Sequence, residues 1–94
     1  MDLNKLKKQL QVEVDTAFLY ESIASIQTDD SLKRVLQSLA DIEKGHAKHM
    51  LEKVMTLESN YQMPVASSKA KFQLIKNQNL QNPKYNKTNY MFSY

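Results

Sequence analysis

The run Glu43-Lys44-Gly45-His46 sets a carboxylate and an imidazole three residues apart. On a helix that spacing puts both side chains on one face, one turn apart. An apolar row surrounds them: Leu32, Leu36 and Leu39 come before, and Met50, Val54 and Leu57 after. The steps alternate between three and four, the mark of a single helical face. Upstream, the row Leu6, Leu10, Glu13, Ala17, Tyr20 and Ala24 also carries an acid among apolar residues. Acids and imidazoles in a buried row are costly unless something neutralises them. Glu13, Glu43 and His46 therefore ask for a cation. Carboxylate oxygen mixed with imidazole nitrogen suits iron or manganese, with zinc able to substitute; magnesium is disfavoured by the imidazole.

These residues need two long helices at the correct level. The first proline is Pro64 and the only glycine is Gly45, so nothing breaks the chain before residue 64. Helices are predicted over residues 3–27 and 31–57. Thr28-Asp29-Asp30-Ser31 supplies the small polar residues of a turn and an N-cap. Such a short link makes the pair antiparallel. Glu13 and Glu43 stand equally far from the turn centre, roughly 22 Å at a rise of ~1.5 Å per residue. They should face each other, with His46 one turn further along and Tyr20 on the same row nearer the turn.

Di-iron four-helix bundles hold their metals with one Glu from each of two helices and a Glu-x-x-His pair from each of the other two. One copy of this chain offers half of that set. A two-fold dimer of hairpins would complete it. Such a dimer would also cover apolar residues that a single interface leaves over: Val12, Leu19, Ile23 and Ile26 on one flank of the first helix, Val14 and Phe18 on the other, and Val35, Ile42, Leu51 and Met55 on the second. The expected fold class is all-α, a helical hairpin over residues 1–58 that dimerises into a four-helix bundle.

Residues 59–94 read differently, as a basic tail rich in asparagine and tyrosine. A short third helix is expected over about residues 67–80, with Phe72, Ile75 and Leu80 on one side, and a loosely held, partly disordered segment beyond Pro83. Residues 1–57 hold eight lysines and arginines against nine acids, whereas residues 58–94 hold five lysines and only Glu58. The positive charge thus belongs to the tail. The chain has no cysteine, which excludes disulfides, thiolate zinc sites and iron–sulfur clusters. No apolar run has the length of a signal peptide or a membrane span, and a soluble, cytoplasmic chain is expected. Neither a phosphate-cradling glycine loop nor a recognisable nucleophile–base spacing is present, and nucleic acid is not an expected partner. Asp15, Glu21, Asp41 and Glu52 read as solvated faces, His49 as a surface histidine, and the methionines as core filler.

Three segments together, Gln11-Val12-Glu13-Val14-Asp15-Thr16-Ala17-Phe18-Leu19-Tyr20, Asp29-Asp30-Ser31-Leu32 and Leu39-Ala40-Asp41-Ile42-Glu43-Lys44-Gly45-His46-Ala47, resemble the rubrerythrin-like branch of the ferritin-like superfamily. The likeness spans roughly residues 8–57 and is nearest to the rubrerythrin-like domain fused to vacuolar-iron-transporter-type membrane proteins. It implies a ferritin-like bundle, a homodimer or higher homo-oligomer, and a di-iron centre in iron oxidation, storage or sensing. It places the iron ligands on Glu13, Glu43 and His46 and a site-proximal tyrosine on Tyr20, and it suggests peripheral association with a membrane transporter. The chain departs from the family in two ways: no hydrophobic spans follow Met63-Pro64-Val65-Ala66-Ser67-Ser68, and there is no rubredoxin-type site, which needs cysteines. Ferroxidase-type chemistry is the activity such a centre would support. Two other readings stand beside it: a metal-free dimeric helical interaction module, and a membrane-surface adaptor acting through the lysine-rich tail.

Overall fold

The structure, a computed structural model, describes residues 2–80. It is all-helical, with α1 (Leu3–Ser25), α2 (Asp30–Leu57) and α3 (Ser68–Leu80), and no strand among the described residues. The loose segment expected beyond Pro83 lies outside them, as does the side chain of Leu80.

An aspartate starts each long helix. Asp2 accepts from Asn4 N at 3.0 Å and Lys5 N at 3.3 Å, and Asp29 accepts from Ser31 N at 2.9 Å and Leu32 N at 3.2 Å. Each cap satisfies backbone donors that the first turn cannot pair internally. Asp29 also ends the short link after Ser25, which turns α2 back along α1.

The helix–helix contact is made of small residues at steps of seven. Leu10, Ala17 and Ala24 are buried on α1, and Ala40, Ala47 and Val54 on α2. Four alanines in this line leave little side chain to hold the helices apart. Toward the open end of the hairpin the residues grow larger, and Leu10, Ala47 and Val54 gather Leu3, Leu6, Val14, Met50, Leu51 and Tyr61 around them.

On α1 the expected row contains the whole buried line, Leu10, Ala17 and Ala24; on α2 the expected seam is corrected. Of the row Leu32, Leu36, Leu39, Glu43, His46, Met50, Val54 and Leu57, only Val54 is buried; Leu32, His46 and Leu57 are exposed and the others half-buried. At about 100° per residue, most of that row sits to one side of the contact line. The alanines take the centre because they alone allow close approach, and the larger leucines are left on the flank.

The tail covers the opposite flank. Tyr61 packs against the core, and Met63 and Ala66 line a groove with Val14 and Phe18. Three polar residues on one face of α1 hold this returning segment. Lys7 donates to Glu58 Oε1 at 2.9 Å and lies 4.8 Å from the centre of the Tyr61 ring. Gln11 donates to Val65 O and to Asp15 Oδ1, both at 2.9 Å. Asp15 accepts from Ser67 N at 2.8 Å and from Ser67 Oγ at 2.6 Å. Ser67 Oγ in turn accepts from Ala70 N at 3.2 Å and so caps α3. Asp15, expected on a solvated face, is instead the latch that starts the third helix. No helix among the described residues is long and apolar enough to cross a membrane.

Burial pushes the Asp15 carboxyl up, but hydrogen bonds from Ser67 and Gln11 and the charge of Lys69 together hold it below its ordinary value of 3.8. A depressed carboxylate contributes stability above its unfolded value and loses that contribution as the pH falls through its folded value. Asp15→Ala should speed amide exchange at Ala70 and Lys71 and leave that of Leu10 and Val54 unchanged. Wild-type protein should approach the same pattern only below pH 3.8.

Gly45 interrupts an otherwise good helix. Its backbone is ordinary, and a Cβ there would meet nothing within 4 Å. Gly45→Ala should therefore stabilise the fold by about 1 kcal/mol. Thermal unfolding should show this as a rise of roughly 4–8 °C for a domain of this size.

Candidate metal centre

The turn at Asp29 and the alanine contact line bring Glu13 and Glu43 level with each other, as their equal distances from the turn predict. His46 stands one helical turn beyond Glu43. One ligand atom from each of Glu13, Glu43 and His46 lies within 4.8 Å of the others, and no other cluster of three such donors occurs among the described residues. His46 Nδ1 is 3.6 Å from Glu13 Oε2 and 3.7 Å from Glu43 Oε2. All three residues named from sequence thus converge. They do not converge in a buried interior: the side chains of Glu13 and Glu43 are 15% and 21% exposed, and that of His46 is 59% exposed. The group lies on the flank of the hairpin that the tail leaves uncovered.

The two carboxyls are close enough to compete for one proton. A hydrogen bond with Glu43 is the main influence holding Glu13 below its ordinary value; Gln9 and His46 add to it, while burial opposes. The same hydrogen bond, with burial and the negative charge of Glu13, pushes Glu43 up, and His46 opposes. Like-charged carboxylates at this separation favour a cation or a proton between them.

Gln9, which sequence reading passed over, takes part in the site. Its Nε2 donates to Glu13 Oε1 at 2.8 Å, and the other oxygen, Oε2, faces His46. The signal was available, since Gln9 stands four residues before Glu13 on the same helical face. Tyr20 is half-buried on the Glu13 row. His49 is exposed and outside the cluster. Glu21 is exposed, as expected, and pairs with Lys44.

The donor set fits a transition-metal ion. Two carboxylates and an imidazole within this span can close on one ion at the usual ligand distances of about 2.0–2.2 Å. Three protein donors leave coordination positions open. Comparison with protein-family models, with curated proteins and with solved structures finds no match to this chain.

The raised Glu43 has a consequence for the metal-free protein. A carboxyl whose folded pKa exceeds its ordinary 4.5 favours the fold below that value and loses the contribution as the pH rises through the folded one. Glu43→Gln removes the like charge and should raise the melting temperature at neutral pH. The gain should be a few tenths of a kcal/mol, the scale of an exposed like-charge contact. Melting scans in chelator should show that gain shrinking as the pH approaches 4.5.

Proposed function

We propose that this chain is a rubrerythrin-like, ferritin-like iron-binding domain whose centre is completed between two copies. The observation that carries the reading is the convergence of Glu13, Glu43 and His46 on the uncovered flank of the hairpin. A pair of irons held by Glu13, Glu43 and His46 of two copies would supply ferroxidase-type chemistry, the oxidation of ferrous to ferric iron by dioxygen.

The roles of the protein's own groups follow from their positions. Gln9 holds one oxygen of Glu13 and turns the other toward the site. Protons and metal compete for the carboxylates of Glu13 and Glu43, so affinity falls with falling pH. His46 contributes Nδ1, which keeps its ring proton on Nε2. A second copy seated on this flank would bring another Glu13, Glu43 and His46 and complete six ligands. It would also cover Leu32, Val35 and Ile42, each about half exposed in the single chain and on the His46 side of α2.

Those same exposed residues favour one alternative, a metal-free helical interaction module that dimerises through this flank. Ferrous titration of apo-protein under nitrogen, read by native mass, separates the two. About two irons per dimer, with a near-ultraviolet ferric band rising when air is admitted, supports the di-iron centre. Glu43→Ala and His46→Ala should lose iron and keep their helices. Gln9→Leu should keep the stoichiometry but weaken affinity by roughly 10–100-fold, as loss of a ligand-orienting contact does. A dimer that takes up no iron, with melting and mass indifferent to chelator, would leave the interaction module standing.

A further inference from the structure

α3 is amphipathic in the wrong sense for a helix that only packs on its own domain. It rests on α1 through buried Ala70 and half-buried Leu74, near Val12, Asp15, Thr16 and Leu19. Its largest apolar side chains face away: Phe72 is 68% exposed and Ile75 is 54% exposed. At about 100° per residue these two lie some 60° apart and straddle the direction opposite Ala70. Lys71 and Lys76, both exposed, stand about 40° beyond them, one on each side. Lys69 is also exposed, and the helix contains no acid.

An apolar ridge between two lysines suits a surface whose interior is apolar and whose boundary is negatively charged. The ring and the branched chain enter the acyl region, while the lysine stems run along them and place their ammonium groups among the headgroups. The charge distribution selects this occupant over a second copy. α3 holds Lys69, Lys71 and Lys76 and no acid, so two such faces would repel each other, whereas an anionic bilayer attracts them. The Asp15–Ser67 latch fixes α3 to the back of α1, away from the flank carrying Glu13, Glu43 and His46. Both surfaces can therefore be used together, and a dimer would present two ridges.

We propose that the Phe72–Ile75 ridge of α3, flanked by Lys71 and Lys76, docks this protein peripherally on anionic lipid bilayers. The inference is independent of the metal site. Full-length protein is sedimented with vesicles of phosphatidylcholine alone or mixed with phosphatidylserine, at low and at raised salt. The expected result is binding to the mixed vesicles on the order of tenfold stronger than to the neutral ones, and lost as salt rises. The exposed-site variants Phe72→Ser with Ile75→Ser, and Lys71→Glu with Lys76→Glu, should each abolish it and retain wild-type circular dichroism. Glu43→Ala should bind vesicles as wild type does, so failure of the iron reading leaves this result intact. Equal binding to both lipids, or undiminished binding by the Phe72/Ile75 variant, would overturn the proposal. So would a change in native mass in that variant, which would assign the ridge to a second copy.

Discussion

Everything that bears on chemistry in this molecule depends on how closely α1 and α2 can approach. Ala17, Ala24, Ala40 and Ala47 have almost no side chain to hold the backbones apart. The Asp29-capped turn removes the freedom to slide, because a short link fixes which residues stand opposite one another. Together they set the gap across which Glu13 meets His46 and Glu43. A bulky residue at any of these alanines would widen that gap without touching a carboxylate. The spacing of the candidate ligands is thus set by residues that carry no function of their own.

The contact line also decides what remains exposed. A seam of alanines buries little apolar area, and burial contributes only about 25 cal/mol per Å². The hairpin therefore needs a second source of cohesion. On one flank the returning tail supplies it through Tyr61, Met63 and Ala66. On the other, Leu32, Val35 and Ile42 stay in contact with water beside a cluster of two acids and a histidine. One-sided coverage of this kind is an arrangement in which a site is both built and reachable.

Much of the architecture was legible in the residues. The turn, the two long helices and the start of α3 were marked by Asp29, by the absence of proline before Pro64, and by Ser67. The level pairing of Glu13 with Glu43 followed from distance to the turn. On α1 the row read from sequence already held the buried line, Leu10, Ala17 and Ala24; on α2 it missed Ala40 and Ala47, because leucine dominates any hydrophobic pattern and alanine contributes little to it, and the visible row of leucines was the flank. Asp15 was misread for another reason. Its partner Ser67 lies 52 positions away, and no local spacing links them, so the acid looked like one more solvated charge. Gln9 was within reach of sequence reasoning but lay outside the metal-ligand residue types considered.

Lys7, Gln11 and Asp15 recur every four residues along α1 and grip Glu58, Val65 and Ser67 in the same order along the returning segment. These are rungs in series, each bearing on its own segment of chain. Detachment can therefore run as a peel from one end, breaking one polar contact at a time, and need not wait for a single concerted rupture. An end rung can then open at a free energy below that of the hairpin. One rung can lift away and return while the others, and with them the two long helices and the groups they hold level, stay in place.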